Sequence, residues 1–444
     1  MENHTISGAA ILLVFIVLYT VVAVWLGRRS ITMPMVFLAV GALTGAQGLG
    51  WIDFSLSSEE IKKLVEITLA LVLFADSSTL SIRQVKEDAG LPARLLALAL
   101  PLVILIGSLL ALAFFPQEGI GFAFLIGAIL APTDAALGLP IFTNKRVPVR
   151  IRRALNVESG LNDGIATPFV TLFAALAVAE QTNTLSDWLS TALLEIAIAL
   201  AVGAAVGILG GWLFAGAMRR RLTSRAAEQI GTLALALAIY LGSVNLGGNG
   251  FIAAFVGGLF FSYITRHRQH HAVEFTEAVG TLLSLFVWTL FGSLMVIPLI
   301  TAFNPLALLY ALLSLTLIRM LPVAISLTGM HFRGDTQLVM GWLGPRGLAS
   351  VVFTIIAYES FQEIGRPVST LLAMAGWTIV LSVLLHGFSA RPLARWYANR
   401  LKSAPASAPE LVDMPDLHSL ENRSAITQHA LDISESQLSG ETPK

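Results

Sequence analysis

Six ionisable residues lie deep inside long apolar stretches of the sequence, where charged side chains are rare. At 1.5 Å per helical residue, Asp163 lies about 14 Å from the inner end of its stretch, and Arg346 and Arg319 lie about 15 Å inside theirs. A charge at the centre of a membrane helix costs roughly 2.5–3.5 kcal/mol, so each of these residues is a candidate for a functional role. The other three, which lie nearer the inner ends, are Asp134, Glu158 and Asp76.

Charge pairing among these residues leaves one acid without a fixed counter-charge. We expect Glu158 to pair with Arg319 and Asp134 with Arg346, and the alternative cross-pairing also leaves acids in excess. Asp163 then remains unpaired. A desolvated, unpaired carboxylate is neutralised either by a proton or by a small cation. Competition between the two at a site that opens to one side at a time is antiport.

Oxygen ligands for a small hard cation surround Asp163 in the sequence. We expect Na⁺ to bind the carboxylates of Asp163 and Asp134 together with oxygens of Thr133 and Ser159. Asn162, directly before Asp163, does not titrate, whereas a second Asp there would carry a second proton. The pattern therefore favours electroneutral exchange of one proton for one monovalent cation.

Two of the apolar stretches carry a proline beside a charged residue near their middle. The first reads Ala131-Pro132-Thr133-Asp134 and the second reads Gly344-Pro345-Arg346-Gly347. Proline removes a backbone donor and glycine weakens a helix, so we predict that both helices are broken at the same depth. Inside a membrane, freed backbone groups are tolerated where they line a cavity or bind an ion. A pair of interrupted helices in opposite orientation is typical of a secondary transporter.

The composition indicates that membrane helices position these residues. Apolar residues make up 55% of the 444 residues and charged residues 13%, with a mean hydropathy of +0.76. We therefore predict an all-α polytopic membrane protein with about thirteen transmembrane helices, arranged as inverted repeats with two crossing broken helices. The predicted spans lie at roughly 9–26, 31–50, 63–82, 94–115, 119–142, 154–180, 188–217, 226–246, 250–265, 275–298, 303–329, 336–357 and 367–389.

Several classes of function are excluded by composition and motifs. With no cysteine, disulfides, thiolate metal sites and cysteine catalysis are impossible. The equal numbers of basic and acidic residues, 28 each, give no sign of a nucleic-acid partner. Nucleotide-binding and zinc-binding motifs are absent from the sequence. We expect no enzymatic activity and no cofactor apart from the transported ions.

The distribution of basic residues predicts the orientation. Arginines such as Arg28, Arg152 and Arg219 fall in loops on one side, whereas the other side carries Lys62, Lys63 and Arg366. By the positive-inside rule the arginine-rich side is cytoplasmic, which places the N-terminus outside and the C-terminus inside. The plasma (inner) membrane is the expected location. Residues 401–444 are rich in Pro, Ser and acids, which is typical of a short disordered cytoplasmic tail.

At the same motifs the sequence resembles the NhaP-type sodium/proton antiporters, a group related to the animal sodium/proton exchangers. The resemblance covers about residues 9–395. It is carried by residues 132–135 (Pro-Thr-Asp-Ala), 158–163 (Glu-Ser-Gly-Leu-Asn-Asp) and 344–347 (Gly-Pro-Arg-Gly), the last followed by Ala349 and Ser350. The combination in this order and spacing is specific, whereas each motif alone is weak.

The resemblance implies roles for individual residues. In the family, the Asp matching Asp163 binds the transported ion or proton, and its Asn neighbour marks electroneutral members. The residues matching Glu158 and Arg319 form a structural ion pair. Many relatives carry Glu followed by glycines where this chain has Asp76 followed by Ser77 and Ser78, so Asp76 ranks below the other ion-site candidates.

The resemblance also implies a homodimer with elevator-like alternating access. The antiporter domain would span residues 1–400. Its ion-translocating core helices would lie at about 94–180 and 303–389, and its dimerisation helices at about 9–82 and 188–298.

Three alternatives remain open from the sequence. Selectivity for K⁺ instead of Na⁺ or Li⁺ depends on ligand placement that spacing does not reveal. A cation channel would also use midplane carboxylates and broken helices. An intramembrane aspartyl protease built on Asp134 and Asp163 is disfavoured, because the Gly-x-Gly-Asp signature is absent and buried arginines would suppress the raised pKa that a catalytic dyad needs.

Overall fold

The computed structural model describes residues 2–52, 59–79, 90–142, 144–182, 187–265, 270–405 and 407–412. In this part of the chain the regular structure is helical, with no β-strand. The main helices are α1 (Glu2–Arg28), α2 (Met33–Thr44), α3 (Glu59–Thr79), α4 (Gly90–Phe114), α5 (Gly119–Ile129), α6 (Ala135–Phe142), α7 (Val149–Thr182), α8 (Trp188–Arg219), α9 (Arg225–Asn245), α10 (Gly250–Thr265), α11 (His270–Thr301), α12 (Pro305–Leu315), α13 (Leu317–Ser326), α14 (Gly334–Trp342), α15 (Leu348–Glu363) and α16 (Ser369–Leu401).

Long apolar helices confirm the prediction of an all-α polytopic membrane protein. Each predicted span overlaps one helix or two successive helices. Eight segments are long and apolar enough to cross a bilayer by themselves, and the number of thirteen crossings stays a prediction. These eight segments are Gly8–Arg28, Gly90–Phe114, Val149–Thr182, Trp188–Arg219, Arg225–Asn245, His271–Thr301, Pro305–Ser326 and Ser369–Leu401.

The two predicted helix breaks are present, and they contact each other. Residues 130–134 separate α5 from α6, and residues 343–347 separate α14 from α15. The Asp134 N–H donates to the carbonyl of Pro345 at 2.8 Å, and the Ser350 hydroxyl donates to the carbonyl of Ile129 at 2.8 Å. Backbone groups that proline and glycine release from one helix are therefore satisfied in part by the other.

A third interruption was not predicted. Thr316, with φ −113° and ψ −91°, separates α12 from α13. Neither proline nor glycine lies at this break. The nearest proline, Pro322, follows six residues later inside α13. Arg319 therefore lies in the first turn of a new helix and not in the middle of a continuous one.

Glycines bring α7, which carries Asp163, close to α10, and bring α8 close to α10. A side chain at Gly164 of α7 would overlap the ring of Phe255 on α10. On the other side of α10, a methyl group at Gly207 of α8 would lie 2.5 Å from the carbonyl oxygen of Gly257. Small residues at these positions allow the close approach that membrane helices need in order to pack.

The beginning of the predicted tail is packed against the helices. Glu410 is fully buried, and its Oε1 accepts hydrogen bonds from the Arg333 N–H and the Thr336 hydroxyl, both at 2.8 Å. Arg150 of α7 donates to the carbonyl of Pro409 at 2.7 Å. Glu410 thus places a carboxylate at the N-terminus of α14, where it interacts favourably with the helix dipole. Residues 413–444 lie outside the described residues.

Glu410 is expected to contribute to the stability of the protein. A chain that ends at residue 405 should unfold at a lower temperature than a chain that ends at residue 412. Hydrogen bonds to a charged group contribute about 1.5–3 kcal/mol, so Glu410→Ala should lose a similar amount. Tryptophan fluorescence during heating of the detergent-solubilised protein measures the effect. Equal unfolding temperatures for the two truncated chains would contradict the structural role of this segment.

Candidate functional site

Asp134 occupies the point where the two main breaks meet. Its Oδ1 accepts from the Ala136 N–H at 2.7 Å, and its Oδ2 accepts from the Leu348 N–H at 3.2 Å. One carboxylate therefore caps the N-termini of α6 and α15, where the helix dipoles favour negative charge. A side chain at Gly347 would overlap the Asp134 carboxylate, which explains the glycine at this position.

Asp163 lies beside this crossing on α7 with one side-chain oxygen unsatisfied. Oδ1 is buried and has no hydrogen-bond partner among the residues that the structure describes. The charges of Asp134 and Asp76 both act on Asp163. The three acids are partly exposed, whereas Asn162 and Gly164 on either side of Asp163 are buried. The structure thus brings three carboxylates near one another, and Asp76 is one of them.

Asn162 contacts the first break. Its Nδ2 donates to the hydroxyl of Thr133 and to the carbonyl of Thr133, the latter at 3.3 Å. Thr133 is 1% exposed, and Ser159, one helical turn before Asp163, is also buried. Asn162 therefore fixes the unwound main chain at Thr133 in addition to being the non-titrating neighbour of Asp163.

Glu158 and Arg319 form an ion pair in the interior. The distance between Arg319 Nη1 and Glu158 Oε1 is 2.6 Å, and both side chains are at most 3% exposed. Arg319 also lies against the second break, because a side chain at Gly344 would approach its Nε to 2.3 Å. The pair therefore joins α7 and α13 beside the unwound segment between α14 and α15.

For Arg346, whose predicted partner is Asp134, the structure shows backbone carbonyls as hydrogen-bond partners. Within the described residues, the Arg346 guanidinium donates to the carbonyls of Ala131 (3.4 Å), Gly344 (3.0 Å) and Ser314 (3.4 Å). These carbonyls belong to the first break, to the second break and to the end of α12 just before Thr316. Arg346 is 0% exposed, so a single buried cation satisfies freed backbone groups at all three interruptions.

Two polar residues of α16 were missed in the sequence. Both are buried: Ser382 contacts the second break at Arg346, and His386 contacts Trp342, the residue directly before that break. The available signal was their spacing of four residues within an otherwise apolar stretch, which places both on one helix face. The interruption at Thr316 had no comparable signal.

Comparison with known proteins places this geometry in a family. The model of the transmembrane sodium/hydrogen exchanger family matches residues 11–396. The K⁺/H⁺ antiporter NhaP of Alkalimonas amylolytica is 27% identical over 403 residues, covering 89% of this chain and 67% of that protein. The Na⁺/H⁺ antiporter ApNhaP of Aphanothece halophytica is 26% identical over 343 residues, covering 74% of this chain. The chain spans 63% of the length of ApNhaP.

A solved structure has the same fold. The sodium proton antiporter MjNhaP1 of Methanocaldococcus jannaschii at pH 8 superimposes with a TM-score of 0.67 at 22% sequence identity. The match covers 89% of this chain and 99% of that one.

Breaking the ion pair of Glu158 and Arg319 should destabilise the protein. Glu158→Gln leaves a buried arginine unpaired and is expected to cost about 3–5 kcal/mol in the free energy of unfolding. The double variant Glu158→Gln/Arg319→Met should be more stable than Glu158→Gln, because both charges are removed together. The exposed pair of Lys63 and Glu59, 3.0 Å apart, provides the control, since removal of Glu59 should cost less than about 1 kcal/mol. A double variant less stable than the single one would contradict the pairing.

Asn162→Asp should lower both stability and transport. A carboxylate does not donate to the Thr133 carbonyl and would repel it, at a cost of about 1–3 kcal/mol. Thermal unfolding measures the stability of the purified variant, and cation/proton exchange at pH 8 measures its transport. Asn399→Asp, a change at an exposed residue, is the control. Wild-type stability together with wild-type exchange in Asn162→Asp would show that the contact with Thr133 is dispensable.

Proposed function

The chain belongs to the sodium/hydrogen exchanger family, and on that premise we propose that it is a secondary active antiporter that exchanges a monovalent cation for a proton. The observation that carries the proposal is the environment of Asp163. Its carboxylate lies at the crossing of two broken helices, feels the charges of Asp134 and Asp76, and leaves Oδ1 without a hydrogen-bond partner among the described residues.

Repulsion among the three carboxylates provides the driving force for binding. When all are ionised, each raises the electrostatic energy of the others, and the low dielectric of the surrounding protein strengthens this repulsion relative to water. A proton on Asp163 or a cation beside it removes this repulsion. Each excludes the other from the same carboxylate, so the two occupy the site in turn.

Oxygen atoms around Asp163 suit a monovalent alkali cation. We assign as ligands the carboxylates of Asp163 and Asp134, an oxygen of Thr133 and the hydroxyl of Ser159. The oxygens of Thr133 accept hydrogen bonds from Asn162 and retain further lone pairs for a cation. The arginines do not compete for this site, because Arg319 pairs with Glu158 and Arg346 binds carbonyls.

The proposed stoichiometry is one proton for one cation. Asn162 carries no proton, so Asp163 is the acid whose charge changes during the cycle. The charge that crosses the membrane with the cation then equals the charge that returns with the proton, and exchange is electroneutral.

The proposed cycle moves the core helices relative to the dimerisation helices of a homodimer, as an elevator. Two contacts of described residues would change in such a movement. Lys62 of α3 lies 3.2 Å from Glu359 of α15, and Gly164 of α7 packs against Phe255 of α10. We place the protein in the plasma membrane with its N-terminus outside and its C-terminus in the cytoplasm.

Sodium, with lithium, is the cation we favour, and potassium is the second candidate. The solved relative with the same fold and ApNhaP are named for sodium exchange. The relative from Alkalimonas amylolytica, 27% identical over 89% of this chain, is named a K⁺/H⁺ antiporter. Selectivity depends on the positions of the Asp163, Asp134 and Thr133 oxygens relative to one another.

Proteoliposomes loaded with a pH gradient test the proposal. We expect added Na⁺ or Li⁺ to dissipate the gradient. Clamping the membrane potential with valinomycin and K⁺ should leave the rate unchanged, because the proposed exchange is electroneutral. Asp163→Asn should abolish exchange while the protein remains folded, because the variant carbonyl neither titrates nor carries charge. Asp187→Asn, which removes an exposed acid at the start of α8, is the matched control. Cation-dependent proton movement retained in Asp163→Asn would refute the role of this residue, and passive cation current would indicate a channel.

A further inference from the structure

The second break is fixed by a polar face of α16. The Ser382 hydroxyl oxygen accepts from the Arg346 N–H at 2.6 Å and lies 3.2 Å from the Arg346 carbonyl, to which the hydroxyl donates. One side chain therefore satisfies both backbone groups of the residue at the centre of the break. Ser382 is 0% exposed, so water does not compete for these groups.

His386, one turn further along α16, contacts the end of α14. Its Nε2 lies 2.8 Å from the carbonyl oxygen of Trp342, the last residue of α14. Its ring also stacks on the Trp342 indole with the ring centroids 4.9 Å apart, and the Trp342 Nε1–H donates to the Ser389 hydroxyl at 2.9 Å. The carbonyls at the C-terminus of a helix lack partners within that helix, and His386 lies against one of them.

Contacts lead from this polar face to the ion site. The Pro345 carbonyl, directly before Arg346, accepts from the Asp134 N–H at 2.8 Å. The Leu348 N–H, two residues after Arg346, donates to the Asp134 carboxylate. A displacement of the main chain at Arg346 would therefore move two of the groups that orient Asp134, whereas the third, the Ala136 N–H, belongs to α6.

We propose that Ser382 and His386 are positioning residues of the ion site, which hold the 342–346 main chain where it orients the Asp134 carboxylate. This inference rests on the proposed function, because it assigns Asp134 as a cation ligand. The arrangement parallels the first break, where Asn162 of α7 donates to Thr133. Each broken segment is then held by polar side chains of the long helix that follows it in the chain.

Ser382→Ala tests the inference, with Thr378→Val as the matched control. Thr378 is a buried hydroxyl residue one turn earlier on α16 whose side chain bonds to its own helix at Met374. In proteoliposomes we expect Ser382→Ala to raise the apparent KM for the cation about fivefold while the maximal rate stays within twofold of wild type. This corresponds to one lost hydrogen bond in a ligand-orienting contact. Ser382→Thr, which retains the hydroxyl, should restore the wild-type KM.

Hydrogen–deuterium exchange provides a readout that does not depend on transport. Ser382→Ala should accelerate exchange in peptides that contain the Asp134 and Arg346 amides, whereas Thr378→Val should not. A wild-type KM in Ser382→Ala, or equal effects of Ser382→Ala and Thr378→Val, would overturn the inference and leave the proposed function intact. Absence of cation-driven proton movement in the wild type would instead refute the proposed function. The hydrogen–deuterium exchange rate of the Asp134 amide would then still decide the positioning role. Should Ser382→Ala fail to fold, Ser382→Cys is measured in the same two ways.

Discussion

The hydrogen bond between the Asp134 amide and the Pro345 carbonyl joins two helices at the point where both are unwound. In the bilayer interior an unsatisfied backbone group costs several kcal/mol, so neither break is tolerated unless another group satisfies it. The Asp134 carboxylate accepts from amides in the first turns of α6 and α15, the helices that follow the two breaks. Arg346 donates to carbonyls at all three interruptions. The proposed ion site is thus built around backbone groups that must find partners.

Charge is segregated around this crossing. The arginines are fully buried and committed, Arg319 to Glu158 and Arg346 to carbonyls, whereas the three aspartates are partly exposed. In the proposed cycle, this separation would let Asp163 gain and lose its neutralising ion without disturbing the helix packing that the arginines support.

Much of this arrangement was predictable from the sequence. Pro132 and Pro345 predict their breaks because proline lacks the amide that a helix needs, and the depth of Glu158 and Arg319 in apolar stretches predicts charges that need partners. The carbonyl partners of Arg346 were not predicted, because matching whole charges leaves carbonyl dipoles out of consideration as acceptors. The break at Thr316 was missed because no proline or glycine lies there, and the contact of the nearby Ser314 carbonyl is with Arg346, far away in sequence. Glu410 was assigned to a disordered tail because composition does not show that one acid meets the uncapped start of α14.

Infrared difference spectroscopy of the purified protein tests the central claim, that a proton and a cation take turns at Asp163. Na⁺ or Li⁺ added at a pH where the site is protonated should remove one protonated-carboxyl C=O band and release one proton to the medium. Neither change should occur in Asp163→Asn. A cation-induced spectrum in which the protonated-carboxyl band stays unchanged, or one that is identical in wild type and Asp163→Asn, would contradict the account.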